Sequence, residues 1–259
     1  MNSFHYLDEN PGGTFPVLLL HGLGADSSSW QLQFPALIDA SFRLIAPDLP
    51  GFGLSKYDGR GWSIHRIAVA LAILLDGLGL PQTHVVGISM GGTIALQMAI
   101  EVPERVDRLI LVNTFSRLRP EKVREWLYFI QRIVIIYSLG LSTQASLVAG
   151  RIFPYPEQEI LRLELIKRIS QSDPRAYRQA MRSLGLFNVH SRLKEIKSAV
   201  LIITGENDTT VPRKTQRQLV ENIPHAEQVI IPGAGHAVSL DQPGLFNREM
   251  LKFLLNNDL

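Results

Sequence analysis

The chain has 259 residues, with 26 Lys+Arg against 24 Asp+Glu, 46% hydrophobic residues, 20 Gly and no Cys. This length and apolar fraction exclude a disordered chain or a collagen-like fibre and fit between one and two globular domains. A formal charge of +2 supplies no field that argues for a nucleic-acid partner, and the lack of cysteine removes disulfides, a thiolate nucleophile and cysteine-ligated zinc.

In chain order, Met1 to Gly13 hold no basic stretch followed by an apolar run, so no secretory signal is read there and a cytoplasmic protein is expected. Runs rich in β-formers then recur at Val17 to Leu20, Arg43 to Ala46, His84 to Val86, Leu109 to Val112, Val200 to Thr204 and Gln228 to Ile231. Most are continuously apolar and bounded by Gly, Pro or Asp, the pattern of strands covered on both faces. Helix-period segments lie between them, as where Ile64, Ile67, Ala68, Leu71, Leu74 and Leu75 follow Ser63, a residue suited to an N-cap. This alternation predicts an α/β fold, a mostly parallel central sheet with helices on both faces.

The alternation fails over 117–186, where the pattern turns helical and Pro120, Pro154, Pro156 and Pro174 punctuate it. The reading is therefore a core of residues 1–116 and 187–259 interrupted by a helical insertion. The insertion carries 12 Lys+Arg and 6 Asp+Glu, so it is basic and the remainder acidic. Its segment 133–150 has 18 residues without a charge, the lower edge of a spanning length. Ser138, Ser142, Thr143, Gln144 and Ser146 dilute it and Gly140 interrupts it; no stable membrane span is expected, but a helix buried under a lid or lining an apolar pocket.

The chemistry concentrates at His84 to Gly92, where a strand runs through Gly87-Ile88-Ser89-Met90-Gly91 into a helical pattern. A serine on so sharp a strand-to-helix turn needs small neighbours, and the turn presents its hydroxyl at the carboxyl edge of the sheet. Serine at its ordinary pKa is a poor nucleophile, so a base and an orienting acid are required. Asp208 follows the strand Val200 to Thr204, and His236, framed by glycine, follows Val229 to Pro232. In a parallel sheet such loops gather on one edge, which lets residues far apart in sequence converge on Ser89. His65 and His190 read as packing or surface residues. Glu206, Asp241 and Asp48 are weaker candidates for the acid, and Asn113 occupies the end of the strand after the nucleophile helix, where another acid could have stood. Donors for a tetrahedral oxyanion are expected from the backbone N–H groups of Met90 and of Leu23, in the loop His21-Gly22-Leu23-Gly24.

Together these residues resemble the α/β-hydrolase family over essentially the whole chain: His21-Gly22, Asp48-Leu49-Pro50-Gly51-Phe52-Gly53-Leu54-Ser55, Gly87-Ile88-Ser89-Met90-Gly91-Gly92, Asp208 and Gly235-His236. The resemblance implies Ser89 as nucleophile, His236 as base and then acid, Asp208 as its orienter, Leu23 and Met90 as the oxyanion hole, and 117–186 as a variable helical cap. It also matches Trp30 to an aromatic commonly found after the oxyanion loop, which makes Trp30 the candidate for substrate binding, although a core or pocket-wall role explains that residue equally. The short segment before Val17 leaves room for about one strand, a trimmed version of the family's first hairpin.

The economical reaction is hydrolysis of a carboxylic ester through an acyl-enzyme, with no cofactor and no metal. The same triad can cleave a thioester, a lactone or a carbon–carbon bond beside a ketone, or pass the acyl group to an acceptor as an acyltransferase or perhydrolase; a non-catalytic ligand receptor would not need all three residues. The expected partner is a small-molecule acyl substrate. Arg117, Arg119, Arg124, Arg162, Arg168, Arg175, Arg178 and Arg182 of the insertion can be read as attracting a carboxylate-bearing substrate or an acidic acyl carrier, or more simply as solvated helix surface. Nothing in the sequence fixes oligomeric state or acyl chain length.

Overall fold

A computed structural model describes residues 4–118 and 123–256. Seven strands, β1 (Tyr6–Glu9), β2 (Phe15–Leu20), β3 (Phe42–Pro47), β4 (Thr83–Ile88), β5 (Val106–Val112), β6 (Ala199–Gly205) and β7 (Ala226–Ile231), form one sheet in the order β1-β3-β2-β4-β5-β6-β7. All neighbours are parallel except β1, which runs antiparallel to β3. Among the described residues β1 is the strand that precedes β2.

The central strands are Val, Leu and Ile because both faces are covered. Helices α1 (Phe34–Asp39), α2 (Ile64–Gly77) and α3 (Met90–Glu101) follow β2, β3 and β4. Ser63 caps α2 by accepting from the Arg66 N–H, as its position before the apolar periodicity predicts. Four helices, α4 (Val123–Ser138), α5 (Gly140–Ile152), α6 (Glu159–Gln171) and α7 (Pro174–Leu186), are inserted between β5 and β6, and an isolated antiparallel bridge between Arg117 and Asn188 closes the neck of the insertion. The chain ends with α8 (Arg213–Asn222), α9 (Val238–Asp241) and α10 (Pro243–Leu254). One face of the sheet buries Ile67, Leu71, Ile94, Met98 and Leu219 from α2, α3 and α8; the other buries Leu37, Phe246, Met250 and Phe253 from α1 and α10.

Strand order reverses between β2 and β4, because the chain first moves outward to β3 and then returns to the other side of β2. Such a switch point opens a crevice at the carboxyl ends of the strands. The register pairs Leu20 with Gly87, Ile88 with Val112 and Val112 with Ile203. Four neighbouring strands thus stop at one level, and the loops after β2, β4, β5 and β6 meet there.

The segment 133–150 forms two helices rather than the one expected to be buried under a lid or to line an apolar pocket, and Val148 of the second lines a cavity. It divides at Gly140, whose φ of 84° ends α4 and lets α5 depart in a new direction. The second half buries Leu141, Ala145, Val148 and Ala149, whereas Val134, Tyr137 and Leu139 in the first half are exposed. Lack of charge did not mean burial, because two short helices each contribute only a partial face. Among the described residues no helix is long and apolar enough to cross a membrane.

His84, at the start of β4, lies between the rings of Phe15 and Phe42, with centroids 4.4 and 5.7 Å away. Burial, reinforced by the nearby Arg108 guanidinium, lowers its pKa to about 4. Asp107 Oδ2 comes within 3.0 Å of Nδ1 without hydrogen-bonding geometry, and it is half in solvent, so it does not offset burial. The folded state holds this ring neutral, so its contribution is intact above the unfolded pKa near 6.5 and lost as pH falls toward 4. Urea unfolding across this range is expected to show up to about 3 kcal/mol of lost stability that His84→Gln removes from the pH profile.

Candidate active site

Ser89 joins β4 to α3 with φ 53° and ψ −112°, a conformation that costs a non-glycine residue about 1–3 kcal/mol and persists only where its surroundings impose it. Here they do: the Ser89 N–H donates to Val112 O at 2.9 Å, and its carbonyl accepts from Thr114 Oγ1 at 2.7 Å and the Thr93 N–H at 3.1 Å. A Cβ on Gly87 would collide with the backbone of Gly91, and one on Gly91 with the carbonyl of Leu20, so the tightness of the turn explains both glycines.

The loop after β2 lies against this turn; a Cβ on Gly22 would be 3.7 Å from Ser89 Cβ. Its shape is set by His21, fully buried and held by burial below its ordinary pKa. His21 Nε2 accepts from the Leu49 N–H at 3.0 Å, so the proton sits on Nδ1, which donates to Gly22 O at 2.8 Å. Asp48 braces the same region. Its oxygens accept from the N–H groups of Ser27 and Leu54, each at 2.8 Å, and these bonds outweigh burial to hold its carboxyl below the usual range. Among the described residues neither the Leu23 nor the Met90 N–H has a hydrogen-bond partner.

Asp208 and His236 come together. His236 Nδ1 lies 3.1 and 3.0 Å from the two Asp208 oxygens, with the aspartate side chain fully buried and the imidazole 8% exposed. A carboxylate only accepts, so Nδ1 carries a proton on this ring edge, and in the neutral imidazole the lone pair belongs to Nε2. Asp208 also accepts from the N–H groups of Thr210 (2.7 Å) and Val211 (3.0 Å) and from Gln216 Nε2 (3.2 Å). Gln216, wholly buried on α8, accepts in turn from Thr204 Oγ1 at 2.8 Å. The other acids serve elsewhere: Glu206 accepts from the Gly233 N–H and Asp241 from the Gly235 N–H, while Asp48 holds the loop described above.

Asn113 is the residue whose part the sequence did not disclose. It sits just past β5 with φ 44°. Its Nδ2 donates to Gly235 O (3.0 Å) and His236 O (2.8 Å), and its Oδ1 accepts from the Gly205 N–H (2.8 Å). One buried amide therefore ties the loops of Asp208 and His236 to the strand beside the serine turn. The available signal was a polar residue closing an apolar strand next to that turn.

Ser89, Asp208 and His236 line one cavity of about 1100 Å³, together with Gly22, Leu23 and Trp30. Among the described residues neither the Ser89 hydroxyl nor His236 Nε2 is engaged by another protein group, and the hydrogen bond between them is not formed. Such contacts often tighten only when substrate binds. Trp30 is 1% exposed and packs on Phe246, so it is core with one side at the cavity wall. Helices of the insertion roof the cavity. The roof is fastened by the Asp26–Arg168 pair (2.5 Å), by Gln158 donating to Asp241 (2.9 Å) and by Arg151 donating to Thr209 O. Among the described residues no cluster of three or more His, Asp or Glu side chains is arranged to hold a metal ion.

Residues 16–243 match a family model described as the alpha/beta hydrolase fold. The chain belongs to that family, and it is a hydrolase by class. It is 30% identical, over 96% of its length and 95% of the relative's, to a protein of Variovorax paradoxus that bears the provisional name carbamate hydrolase RutD. Among solved structures it resembles a thermophilic esterase from Thermogutta terrifontis (27% identity, TM-score 0.83, covering 97% of this chain and 92% of that one). It shares its fold with the enol-lactonase from Burkholderia xenovorans (24% identity, TM-score 0.89, covering 98% and 96%).

Proposed function

We propose that this chain is a serine hydrolase that cleaves carboxylic esters through an acyl-enzyme. The observation that carries the reading is the buried Asp208–His236 pair, with the acid on the Nδ1 edge of the ring, in the same cavity as the strained Ser89. His236 takes the Ser89 proton as the hydroxyl attacks the ester carbonyl. Asp208 fixes the tautomer and stabilises the imidazolium that forms. The N–H groups of Leu23 and Met90 receive the oxyanion, each such donor being worth about 2.7–4 kcal/mol in the transition state. His236 then protonates the departing alcohol, and water activated by the same Nε2 hydrolyses the acyl-enzyme. Residues 117–186 act as a cap that closes over the acyl group, and Trp30 shapes the wall beneath it.

A second reading has its own support: relatives at 30% identity carry a carbamate-hydrolase name. The triad accommodates it, since a carbamate differs from an ester in the group attached to the carbonyl, not in the attack upon it. Steady-state hydrolysis of p-nitrophenyl butyrate, a butyryl thioester and p-nitrophenyl N-methylcarbamate separates the two. Ester turnover is expected to exceed carbamate turnover by about 10²-fold or more, as deacylation of a carbamoyl-enzyme is slowed by resonance. A carbamate kcat above that of the ester would replace the first reading with the second.

A further inference from the structure

The charges around the cavity are lopsided. Five cationic side chains line it, from Arg117, Arg132, Arg151, Arg168 and Lys214, against two carboxylates, Asp208 and Glu164. Both carboxylates are already committed, Asp208 to His236 and Glu164 to Arg168 at 3.2 Å. Of the arginines named from the sequence, Arg117 and Arg168 reach this wall, whereas Arg162, Arg175, Arg178 and Arg182 do not. Arg119 and the side chain of Arg124 lie outside the described residues. Arg132 and Arg151, which sequence reasoning did not single out, line the wall as well.

Arg132 and Arg151 hold their positions without an acid. Both guanidinium groups lie over the ring of Tyr128, with Cζ 5.9 and 4.1 Å from its centroid, so the two charges are no more than about 10 Å apart. Arg132 is fixed further by Tyr177 Oη at 3.4 Å and, with the Gln144 amide oxygen turned toward it, by that oxygen 2.8 Å from Nε. Arg151 donates through Nη2 to Thr209 O, next to Asp208, while its Nε is buried with no partner. Among the described residues Arg117, Arg132 and Arg151 have no carboxylate within ion-pair distance.

Like charges about one Debye length apart, in a cleft with low-dielectric walls, are only partly screened and focus a positive potential into it. A planar guanidinium matches a carboxylate by paired N–H bonds, and pre-set positions reduce the entropy lost on binding. We propose that the cavity selects an acyl substrate bearing a free carboxylate on its acyl chain, received by Arg132 and Arg151 while the ester lies at Ser89. The proposal rests on the serine-hydrolase reading and adds the substrate's charge to it.

The test pairs mono-p-nitrophenyl glutarate with p-nitrophenyl valerate, which share a leaving group and a five-carbon acyl chain and differ in the terminal carboxylate. At low ionic strength the wild-type kcat/KM ratio of glutarate to valerate ester is expected to be about tenfold or more, the scale of one charge-assisted contact. Added salt should shrink the ratio, and Arg132→Gln should cut it about tenfold. A wild-type ratio of one or less, with valerate ester cleaved in a Ser89-dependent way, overturns this proposal and leaves the hydrolase reading standing. So does a high ratio that Arg132→Gln leaves unchanged. Failure to cleave either ester removes both.

Discussion

Ser89→Ala is expected to lower kcat/KM for p-nitrophenyl butyrate by about 10⁴- to 10⁶-fold while leaving the fold intact, because it removes the proposed nucleophile and nothing that supports it. The backbone bonds that impose the Ser89 conformation run through its N–H and carbonyl, not its hydroxyl. The side chain has no protein partner among the described residues to lose. Thermal unfolding should therefore change little. His236→Ala should fall in the same range, and the double variant should be no slower than either single one, if the proposed triad acts as a unit.

Asn113→Gly is expected to cost about 2–4 kcal/mol of stability and to lower kcat about 10²-fold, although Asn113 is not among the residues lining the cavity. Glycine keeps the positive φ without strain, so the variant isolates the side chain. Three bonds vanish, leaving the Gly205 N–H and the carbonyls of Gly235 and His236 without the partner that joins them. Buried polar groups stripped of a partner cost about 1–3 kcal/mol each, not additively. The loops that hold Asp208 and His236 are then free to separate, and a displacement of about 1 Å at reacting groups suffices for the rate loss. The readouts are a urea unfolding curve and the pH–rate profile. A variant that loses stability but keeps full kcat would show Asn113 to be structural cement only.

The fold was legible because its signals are local and repeated. Apolar runs closed by Gly, Pro or Asp and alternating with helical patterns suit strands covered on both faces of a parallel sheet, and each run falls within a strand. The serine turn was equally legible, since Gly87 and Gly91 are demanded by contacts within a few residues and with the next strand. Asp208, preferred to Glu206 and Asp241 in the sequence and matched by the family resemblance, is the acid whose oxygens meet His236.

What escaped depends on contacts between distant segments. Asn113 reads as a missing acid until the loops 92 and 123 residues away are brought onto it. Gln216 reads as one polar residue in a polar helix until Thr204 and Asp208 are placed on either side of it. The segment 133–150 misled because hydropathy counts apolar residues without knowing which neighbours exist to cover them. The insertion's basic charge was visible as a sum, but not the selection of Arg132 and Arg151 from it, which depends on Tyr128, the ring both guanidinium groups meet.

The most direct test is to treat the protein with a fluorophosphonate probe and map the modified residue by peptide mass spectrometry. One stoichiometric adduct on Ser89 is expected, formed on the time scale of turnover, with its rate of formation reduced by several orders of magnitude in His236→Ala. A probe that leaves Ser89 unmodified, or that labels it equally fast without His236, would contradict the serine-hydrolase reading.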